Sequence, residues 1–254
     1  MAGRLQDTVA LVTGASSGIG AATARALAVE GAAVALLGRR RERLEELADE
    51  LSAEARVAYV AEADITDQRQ AAAAVEDVVS QLGRLDTVVN NAGTMGVGPV
   101  EDSPLDEWER MIEINVRGLL YVTHAAVPHL LRAAEDSPRK VADLVNISST
   151  AGRVARPGTA VYNLTKFGVN GFTEALRQEV MRKRVRVSVV EPGTVDTELS
   201  SHLRAGAREA VERQVEGLEL LRPEDIADAV AYIVTRDRRV AVNEILVRAA
   251  EQTW

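Results

Sequence analysis

The chain has 254 residues, of which 46% are hydrophobic and 27% charged; its formal net charge is −8 and it contains no cysteine. An acidic balance argues against nucleic-acid binding, which draws on a cationic surface, and the lack of cysteine excludes disulfides and thiolate chemistry. Because no stretch approaches roughly 18 consecutive apolar residues, we expect no membrane association and a cytoplasmic location.

Short apolar runs alternate with longer amphipathic runs along the chain. The runs predict strands buried on both faces, and their strict alternation with helices predicts an α/β fold with a doubly wound parallel sheet, in one domain of residues 1–254. The predicted strands are Val9–Val12, Ala33–Leu37, Val57–Ala61, Thr87–Asn90, Val141–Ile147, Val185–Val190 and Glu244–Val247. The predicted helices are Ile19–Val29, Arg41–Ser52, Gln68–Leu82, Leu105–Leu131, Ala160–Arg182, a segment around Ala205–Gly217, and Pro223–Val234.

Two charged segments stand out from this alternation. Residues 135–140 (EDSPRK) are charged and contain a proline, so they predict a surface loop. The basic run that includes Arg182, Lys183, Arg184 and Arg186 is typical of the C-terminal end of a helix, where cations offset the helix dipole.

The turn after the first predicted strand is rich in glycine and opens a helix. Glycines there let backbone N–H groups and the helix dipole approach a pyrophosphate without a Cβ in the way. The spacing G-x3-G-x-G differs from the G-x-G-x-x-G fingerprint, and a tight strand-to-helix turn without a ligand is the alternative. The early position, after a strand and before a helix, favours nucleotide binding. The candidate cofactor residues of this turn are Gly14, Ser16, Ser17, Gly18, Ile19 and Gly20.

The end of the second predicted strand carries Gly38, Arg39 and Arg40 and no acidic residue. An acid at this place bonds the ribose 2′-hydroxyl of NAD, whereas a guanidinium makes paired, charge-assisted bonds with a 2′-phosphate. Alternatively, the arginines merely begin a helix, but cations oppose the dipole at a helix N-terminus. The pattern therefore favours NADP(H) over NAD(H).

Two further turns are candidates for contact with the cofactor. Asp64 and Ile65 follow the third strand, where Asp64 either bonds an adenine amino group or is an acid at a helix N-terminus. Asn91, Ala92 and Gly93 follow the fourth strand; small residues and amides suit the passage of the cofactor riboses, although such a sequence is also an ordinary turn.

Tyr162 and Lys166 are the strongest chemical signal, because residues four apart share one face of a helix. A phenol titrates near pH 10, and a nearby ammonium together with an oxidised nicotinamide would lower the pKa of Tyr162. The alternative is a core or interface tyrosine. Ser149 follows the fifth strand and could hold a substrate oxygen, and Asn115 in mid-helix calls for a kink or a water-linked path to Lys166.

Taken together and in order, these motifs resemble those of the short-chain dehydrogenase/reductase family, and the resemblance covers nearly the whole chain. It implies a Rossmann-type fold with strand order 3-2-1-4-5-6-7, a homotetramer or homodimer, and no metal. Tyr162 would be the acid/base, Ser149 would orient the carbonyl, Lys166 would lower the pKa of Tyr162 and hold the ribose, and Asn115 would maintain a proton relay. The nicotinamide would contact Pro192, Gly193, Val195 and Thr197, and Arg39 would grip the 2′-phosphate.

The resemblance implies an NADP(H)-dependent oxidoreductase acting on a small-molecule ketone, aldehyde or secondary alcohol. The segments GRRRERL and EPGTVDTEL and the ending NEILVRAAEQTW most resemble the group of clavulanate dehydrogenase and serine 3-dehydrogenase. The ending departs from that of many 3-oxoacyl-carrier-protein reductases. That reductase and a non-catalytic dinucleotide sensor are the alternatives. We expect a substrate flap at about residues 194–221 and a pocket formed with Thr94, Met95, Ala151, Gly152, Arg153 and Thr194.

Overall fold

Seven parallel strands form one sheet in the order β3-β2-β1-β4-β5-β6-β7 in the computed structural model, which describes residues 3–253 apart from the side chains of His202 and Ala205. The predicted strand order is therefore confirmed; the first two residues and the last residue of the predicted domain lie outside the described residues. The strands are β1 Val9–Thr13, β2 Ala33–Gly38, β3 Ala58–Glu62, β4 Thr87–Asn90, β5 Ala142–Ile147, β6 Val185–Pro192 and β7 Glu244–Val247.

Helices cover both faces of this sheet, as the uniformly apolar strands predict. Every residue of β1, β4, β5 and β6 is buried, whereas β3 and β7 at the two edges are partly exposed. Two hydrophobic clusters result, one on each face of the sheet. The helices are α1 Gly18–Val29, α2 Arg41–Ala53, α3 Gln68–Leu82, α4 Leu105–Ile112, α5 Leu119–Asp136, α6 Ala160–Val180, α7 Ala205–Val215 and α8 Pro223–Val234.

The predicted helix Leu105–Leu131 is interrupted by a wide turn. A π-helical segment, Glu113–Gly118, lies between α4 and α5, and Asn115 lies in its middle. A π turn in mid-helix often marks a functional position, because it rotates the side chains that follow. The local irregularity that Asn115 predicts is thus present.

Two predictions about charged segments are right only in part. Residues 135–140 are mostly exposed, but α5 continues to Asp136 and Ser137 is fully buried. Arg182 and Lys183 lie in the 3₁₀ turn that follows α6, whereas Arg186 is the second residue of β6 and is buried. Both segments turn inward because a buried carboxylate, Asp143 on β5, binds Arg139 at 3.0 Å and Arg186 at 2.7 Å.

The carboxyl ends of the strands open beneath residues 194–221. This segment contains a short 3₁₀ turn, Glu198–His202, and helix α7. Its two ends meet where Val195 pairs with Leu221, and an ion pair of 2.8 Å between Arg204 and Glu107 joins it to α4. The segment therefore covers the sheet edge at which open parallel sheets bind ligands.

Candidate active site

A cavity of about 740 Å³ lies at the carboxyl edge of the sheet, beneath residues 194–221. Its volume is in the range of small-molecule and cofactor sites. Most of the residues predicted to bind cofactor or substrate line it together. They are Gly14, Ser16, Ser17, Gly18, Ile19, Arg39, Arg40, Asp64, Ile65, Asn91, Ala92, Gly93, Thr94, Met95, Ser149, Ala151, Tyr162, Lys166, Pro192, Gly193, Thr194, Val195 and Thr197.

The glycine turn after β1 takes a backbone path that requires glycine. Gly14 and Gly18 have φ angles of +66° and +52°, and a Cβ on Gly14 would lie 2.9 Å from the Cα of Ala92. Ser17, the N-cap of α1, makes no side-chain capping bond, so the first N–H groups of the helix are left for other acceptors. Gly20 lies off the cavity surface, against the carbonyl of Gly14, where it allows α1 to pack closely.

The two arginines after β2 have different partners. Arg40 donates to the hydroxyls of Ser16 and Ser17 at 2.9 and 2.6 Å and pairs with Glu198 of the covering segment at 2.9 Å. Arg39 is more loosely held, with an ion pair of 3.6 Å to Asp64 and a side chain 58% exposed. Both guanidinium groups line the same part of the cavity as the N-terminus of α1.

Asp64 makes a local turn rather than capping a helix. Its carboxylate accepts the backbone N–H and the hydroxyl of Thr66, while Asp67 is the residue that caps α3. The alternative prediction, that Asp64 is an acid at a helix N-terminus, is therefore wrong. Burial acts to raise the pKa of Asp64, but the hydrogen bonds from Thr66 and the charge of Arg39 together outweigh it and hold the pKa below its ordinary value.

The chemical end of the cavity joins Ser149, Tyr162 and Lys166. Ser149 follows β5 and accepts a hydrogen bond of 3.1 Å from the backbone N–H of Ala151. Tyr162 and Lys166 lie one turn apart on α6, and both are buried. The Lys166 ammonium donates to the carbonyl of Ile147 at 2.9 Å and lies 5.7 Å from the centre of the Tyr162 ring.

Burial dominates the titration of these groups. It raises the pKa of Tyr162 above its ordinary value, and a hydrogen bond with Ser149 opposes this effect in part. The predicted lowering of the Tyr162 pKa requires an oxidised nicotinamide as well as Lys166, so it stays a prediction for the protein with its cofactor. Burial lowers the pKa of Lys166 from 10.5 to about 8, because a buried ammonium loses its hydration.

Asn115 does not line the cavity. Its side chain accepts the backbone N–H of Thr94 at 2.8 Å and donates to the carbonyl of the same residue at 2.9 Å. It also donates to the hydroxyl of Thr165 on α6 at 3.2 Å. Asn115 therefore ties the loop after β4 to α6, immediately behind the lining residues Gly93 and Lys166.

Gly152 and Arg153 are also absent from the cavity surface. Arg153 turns away to bind the fully buried carboxylate of Glu191 at 2.6 Å. Gly152 is packed so closely that a Cβ would lie 2.8 Å from side-chain atoms of Asn170 and Ser148. Their inclusion in the predicted pocket is therefore wrong.

Three polar residues that position the site are not marked by any motif. The hydroxyl of Thr13 accepts the N–H groups of Asn91 and Ala92, each at 3.0 Å. Asn163, beside Tyr162, donates to two carbonyls of the loop after Ser149. Gln252 accepts the N–H of Thr194 at 3.0 Å. Threonine, asparagine and glutamine are common in loops and helices, so the sequence does not indicate these roles. Only the position of Asn163 within the Tyr-x3-Lys segment could have indicated one.

Neither a metal cluster nor a membrane-spanning helix was found within residues 3–253. No group of three or more His, Asp or Glu side chains there is placed to hold a metal ion. The helices in this range are also too short or too polar to cross a bilayer.

The model for short chain dehydrogenases matches residues 8–208, so the chain belongs to the short-chain dehydrogenase family. It is 39% identical to glycine betaine reductase ATRR of Emericella nidulans over 252 residues, which are 98% of this chain but only 19% of that protein. The chain thus spans about a fifth of the length of that relative.

Solved structures extend the comparison to bound cofactors. The closed form of a serine dehydrogenase complexed with NADP+ superimposes with a TM-score of 0.85 at 33% identity and covers 97% of both chains. A 3-ketoacyl-(acyl-carrier-protein) reductase from Brucella melitensis complexed with NADH gives a TM-score of 0.84 at 30% identity, with 97% and 98% coverage. The predicted family and its nearest group are confirmed.

Proposed function

We propose that this oxidoreductase uses NADP(H) to interconvert a small-molecule ketone or aldehyde and its alcohol, with Tyr162 as the acid/base. The observation that carries the proposal is the convergence of Ser149, Tyr162 and Lys166 on a cavity whose other half contains the N-terminus of α1, which no side chain caps. Reaction chemistry and phosphate binding would thus share one space.

The residues at the nucleotide half fit NADP(H). A left-handed glycine turn leaves room for a pyrophosphate at the uncapped start of α1. Arg39 and Arg40 supply cations beside it, and Arg39 or its neighbour would bind the 2′-phosphate. The serine dehydrogenase with 33% identity carries NADP+ in its structure, which supports the same choice here. When bound, the cofactor supplies or accepts the hydride.

The roles at the chemical half follow from position and charge. In reduction, the Tyr162 hydroxyl gives its proton to the substrate oxygen, to which Ser149 also donates a hydrogen bond. Burial raises the pKa of Tyr162, so the phenol is protonated at neutral pH, as a proton donor must be. Lys166 is cationic below pH about 8 and would stabilise the phenolate that remains. Asn115 would position the loop after β4. The same proposal gives Asn115 a water-linked proton relay to Lys166.

The direct test is Tyr162→Phe, assayed with NADPH and a panel of ketones. We expect kcat to fall roughly 10²- to 10⁴-fold or more, which is the usual contribution of general acid–base catalysis, while the Kd for NADPH stays within about twofold. Tyr232→Phe, on the exposed surface of α8, is the matched control. Turnover by Tyr162→Phe equal to that of the control would exclude Tyr162 as the acid/base. NADPH binding without any turnover by the unsubstituted protein would favour the sensor alternative.

The same proposal includes a homodimer or homotetramer built on α6. Leu164 and Phe167 are 64% and 45% exposed, and the described residues place no atom within 4 Å of a Cβ built on Gly168 or Gly171. These four positions share one helix face, which is apolar and flat enough to pack on a second copy. We expect Phe167→Asp to lower the mass measured by light scattering and Val57→Asp, away from this face, to leave it unchanged. An unaltered mass for Phe167→Asp would remove α6 from the interface.

A quaternary ammonium compound is a second candidate substrate class. The observation that favours it is the 39% identity with part of glycine betaine reductase ATRR. Turnover with NADPH of a ketone that bears a trimethylammonium group, compared with an uncharged ketone of similar size, tests this class; a preference for the uncharged ketone would count against it.

A further inference from the structure

Helix α7 carries an apolar face that the hydrophobic core of the protein does not cover. Ala207, Val211 and Val215 are partly buried and recur every four residues, whereas the other described side chains of α7 are exposed. Residues at this spacing share one face of a helix. Neither hydrophobic cluster contains a described residue of α7, and Val211 and Val215 line the cavity instead.

Contacts at its two ends place α7 across the cavity. Before the helix, Arg204 donates to the carbonyl of Asp102 at 3.2 Å, and its guanidinium lies 2.9 Å from a Cβ built on Gly98. After the helix, the backbone N–H of Leu221 donates to the carbonyl of Thr194 at 3.2 Å. The helix therefore runs from the chain that follows β4 to the chain that leaves β6, and its apolar face lies over the space between them.

Apolar side chains also line the cavity near the candidate acid/base. Met95 and Val97 lie in the loop after β4, and Val154 lies in the loop after β5. The carbonyl of Val154 accepts a hydrogen bond of 3.1 Å from Asn163, the residue that follows Tyr162. Because Val154 is 45% exposed, an apolar surface stays uncovered near the reacting groups.

The two loops and α7 enclose one space. A backbone hydrogen bond of 2.8 Å from Gly98 to Gly158 joins the loop of Val97 to the loop of Val154. The guanidinium of Arg204 then brings the start of α7 against the same glycine, Gly98. We call the apolar side chains that face this space the apolar channel; they are Met95, Val97, Val154, Val211 and Val215.

We infer that the physiological substrate carries an apolar carbon chain beside its carbonyl or alcohol carbon, and that this chain binds in the apolar channel. The inference rests on the proposed function, because it names the substrate class of the same cavity. Val211 and Val215 are one turn apart, about 6 Å along the helix axis, so a chain of several carbons would cover both. Burying this surface favours binding in proportion to its apolar area. The charged residues of α7 in the lining, Arg208 and Glu212, pair with each other at 2.8 Å and so require no charged group on the substrate.

The test compares methyl ketones whose second alkyl group grows from ethyl to pentyl, assayed with NADPH. We expect kcat/KM to rise about fourfold for each added methylene until the channel is filled, which is the usual effect of burying one CH₂ group. A ketone as long as the pentyl compound but ending in a hydroxyl should lose most of this gain, because the hydroxyl must be dehydrated. Values of kcat/KM that stay flat or fall along the series would overturn the inference and leave the proposed function standing.

Variants connect the chain-length preference to α7. Val211→Thr and Val215→Thr keep the side-chain shape but add a hydroxyl, so each should lower the pentyl-to-ethyl ratio of kcat/KM by roughly 3- to 10-fold. Val215→Ile, which stays apolar, should keep the ratio high. Val57→Thr makes the same change at a valine that is 57% exposed and outside the cavity lining, and it should leave the ratio unchanged. An unchanged ratio in both threonine variants of α7, or an equal fall in Val57→Thr, would overturn the inference.

A binding measurement keeps the inference testable if turnover is absent. With NADP+ present, methyl pentyl ketone should raise the Tm of the unsubstituted protein more than methyl ethyl ketone at the same concentration, and Val215→Thr should reduce the difference. Failure of turnover with every ketone would count against the proposed function for this class of compound, whereas equal Tm shifts for the long and the short ketone would overturn the inference.

Discussion

Two buried charged groups at opposite ends of the sheet, Asp86 and Lys166, differ in how completely they are paired. At the amino-terminal edge, Asp86 is fully buried, receives Arg84 at 2.7 Å and accepts the backbone N–H of Val9 at 2.9 Å. At the carboxyl edge, Lys166 is buried with one carbonyl partner, and burial lowers its pKa to about 8. The Asp86 carboxylate therefore has a partner of opposite charge, whereas the Lys166 ammonium has none within residues 3–253 and can interact with a bound molecule.

Asp143 and Arg186 show the amino-terminal arrangement in its fullest form. Two bonds of 2.7 and 2.9 Å join their side chains, and Arg139 adds a third contact to the carboxylate. Arg186 also donates to the carbonyl of Val240 at 2.7 Å, which holds the chain leading to β7. A network of this kind stabilises the fold, but its side chains have no hydrogen-bonding capacity left for a ligand. The side chains in the cavity are incompletely paired, so they can exchange protons or bind substrate.

The largest expected effect comes from breaking the buried pair at the amino-terminal edge. Asp143→Ala leaves Arg186 buried without its carboxylate, so we expect the free energy of unfolding to fall by about 3–5 kcal/mol. Denaturant unfolding followed by circular dichroism measures this loss. Glu50→Ala is the control, since it breaks the exposed Arg25–Glu50 pair and should cost no more than about 1 kcal/mol. Equal losses in the two variants would contradict the distinction drawn between buried and exposed pairs.

The next effect has the opposite sign. Lys166→Met removes a buried cation, so at pH 7 we expect the variant to be more stable than the parent by about 2–4 kcal/mol, while turnover is lost. The folded pKa of Lys166, about 8, lies below its ordinary value of 10.5, so between these values the unfolded chain holds a proton that the folded chain has released. The stability of the parent should therefore rise with pH across this window and approach that of the variant.

Unfolding curves of both proteins between pH 7 and 10.5 check this linkage. The difference between them should be constant below pH about 8 and should shrink above it. A difference that does not change with pH would show that Lys166 does not titrate in this window. A gain in stability accompanied by a loss of activity is the usual consequence of removing a strained functional group.

The sequence predicts the fold and the contents of the cavity well, because both depend on local patterns. Alternating apolar runs define the strands, and each motif lies directly after a strand, at the edge where parallel strands end together. Tyr162 and Lys166 are placed by helix periodicity alone. The glycines after β1 are likewise local, because a single turn requires their positive φ angles.

What the sequence could not predict depends on partners that are distant along the chain. Arg186 lies in a predicted strand, but nothing near it in the sequence indicates that it is buried against Asp143, which lies 43 residues earlier on the neighbouring strand. Arg153 seemed to belong to the pocket, but Glu191 on β6 draws it away. Burial likewise cannot be predicted from nearby residues, since the raised pKa of Tyr162 depends on how the whole fold encloses the side chain.

The smallest expected effect on stability concerns the exposed pair at the nucleotide half of the cavity. Arg39 and Asp64 are 3.6 Å apart, with 58% and 35% of their side chains exposed, so Arg39→Asp should change the free energy of unfolding by at most about 1 kcal/mol. Its effect on cofactor choice should be much larger, because an acid repels a 2′-phosphate and can accept a bond from a 2′-hydroxyl. We expect the NADPH-to-NADH ratio of kcat/KM to fall by roughly tenfold or more, with Arg39→Gln intermediate. Steady-state kinetics with both cofactors measures the ratio, and Arg239→Asp, in the exposed loop before β7, is the control. An unaltered ratio in Arg39→Asp would transfer the phosphate contact to Arg40, whose bonds to Ser16 and Ser17 already place it at the start of α1.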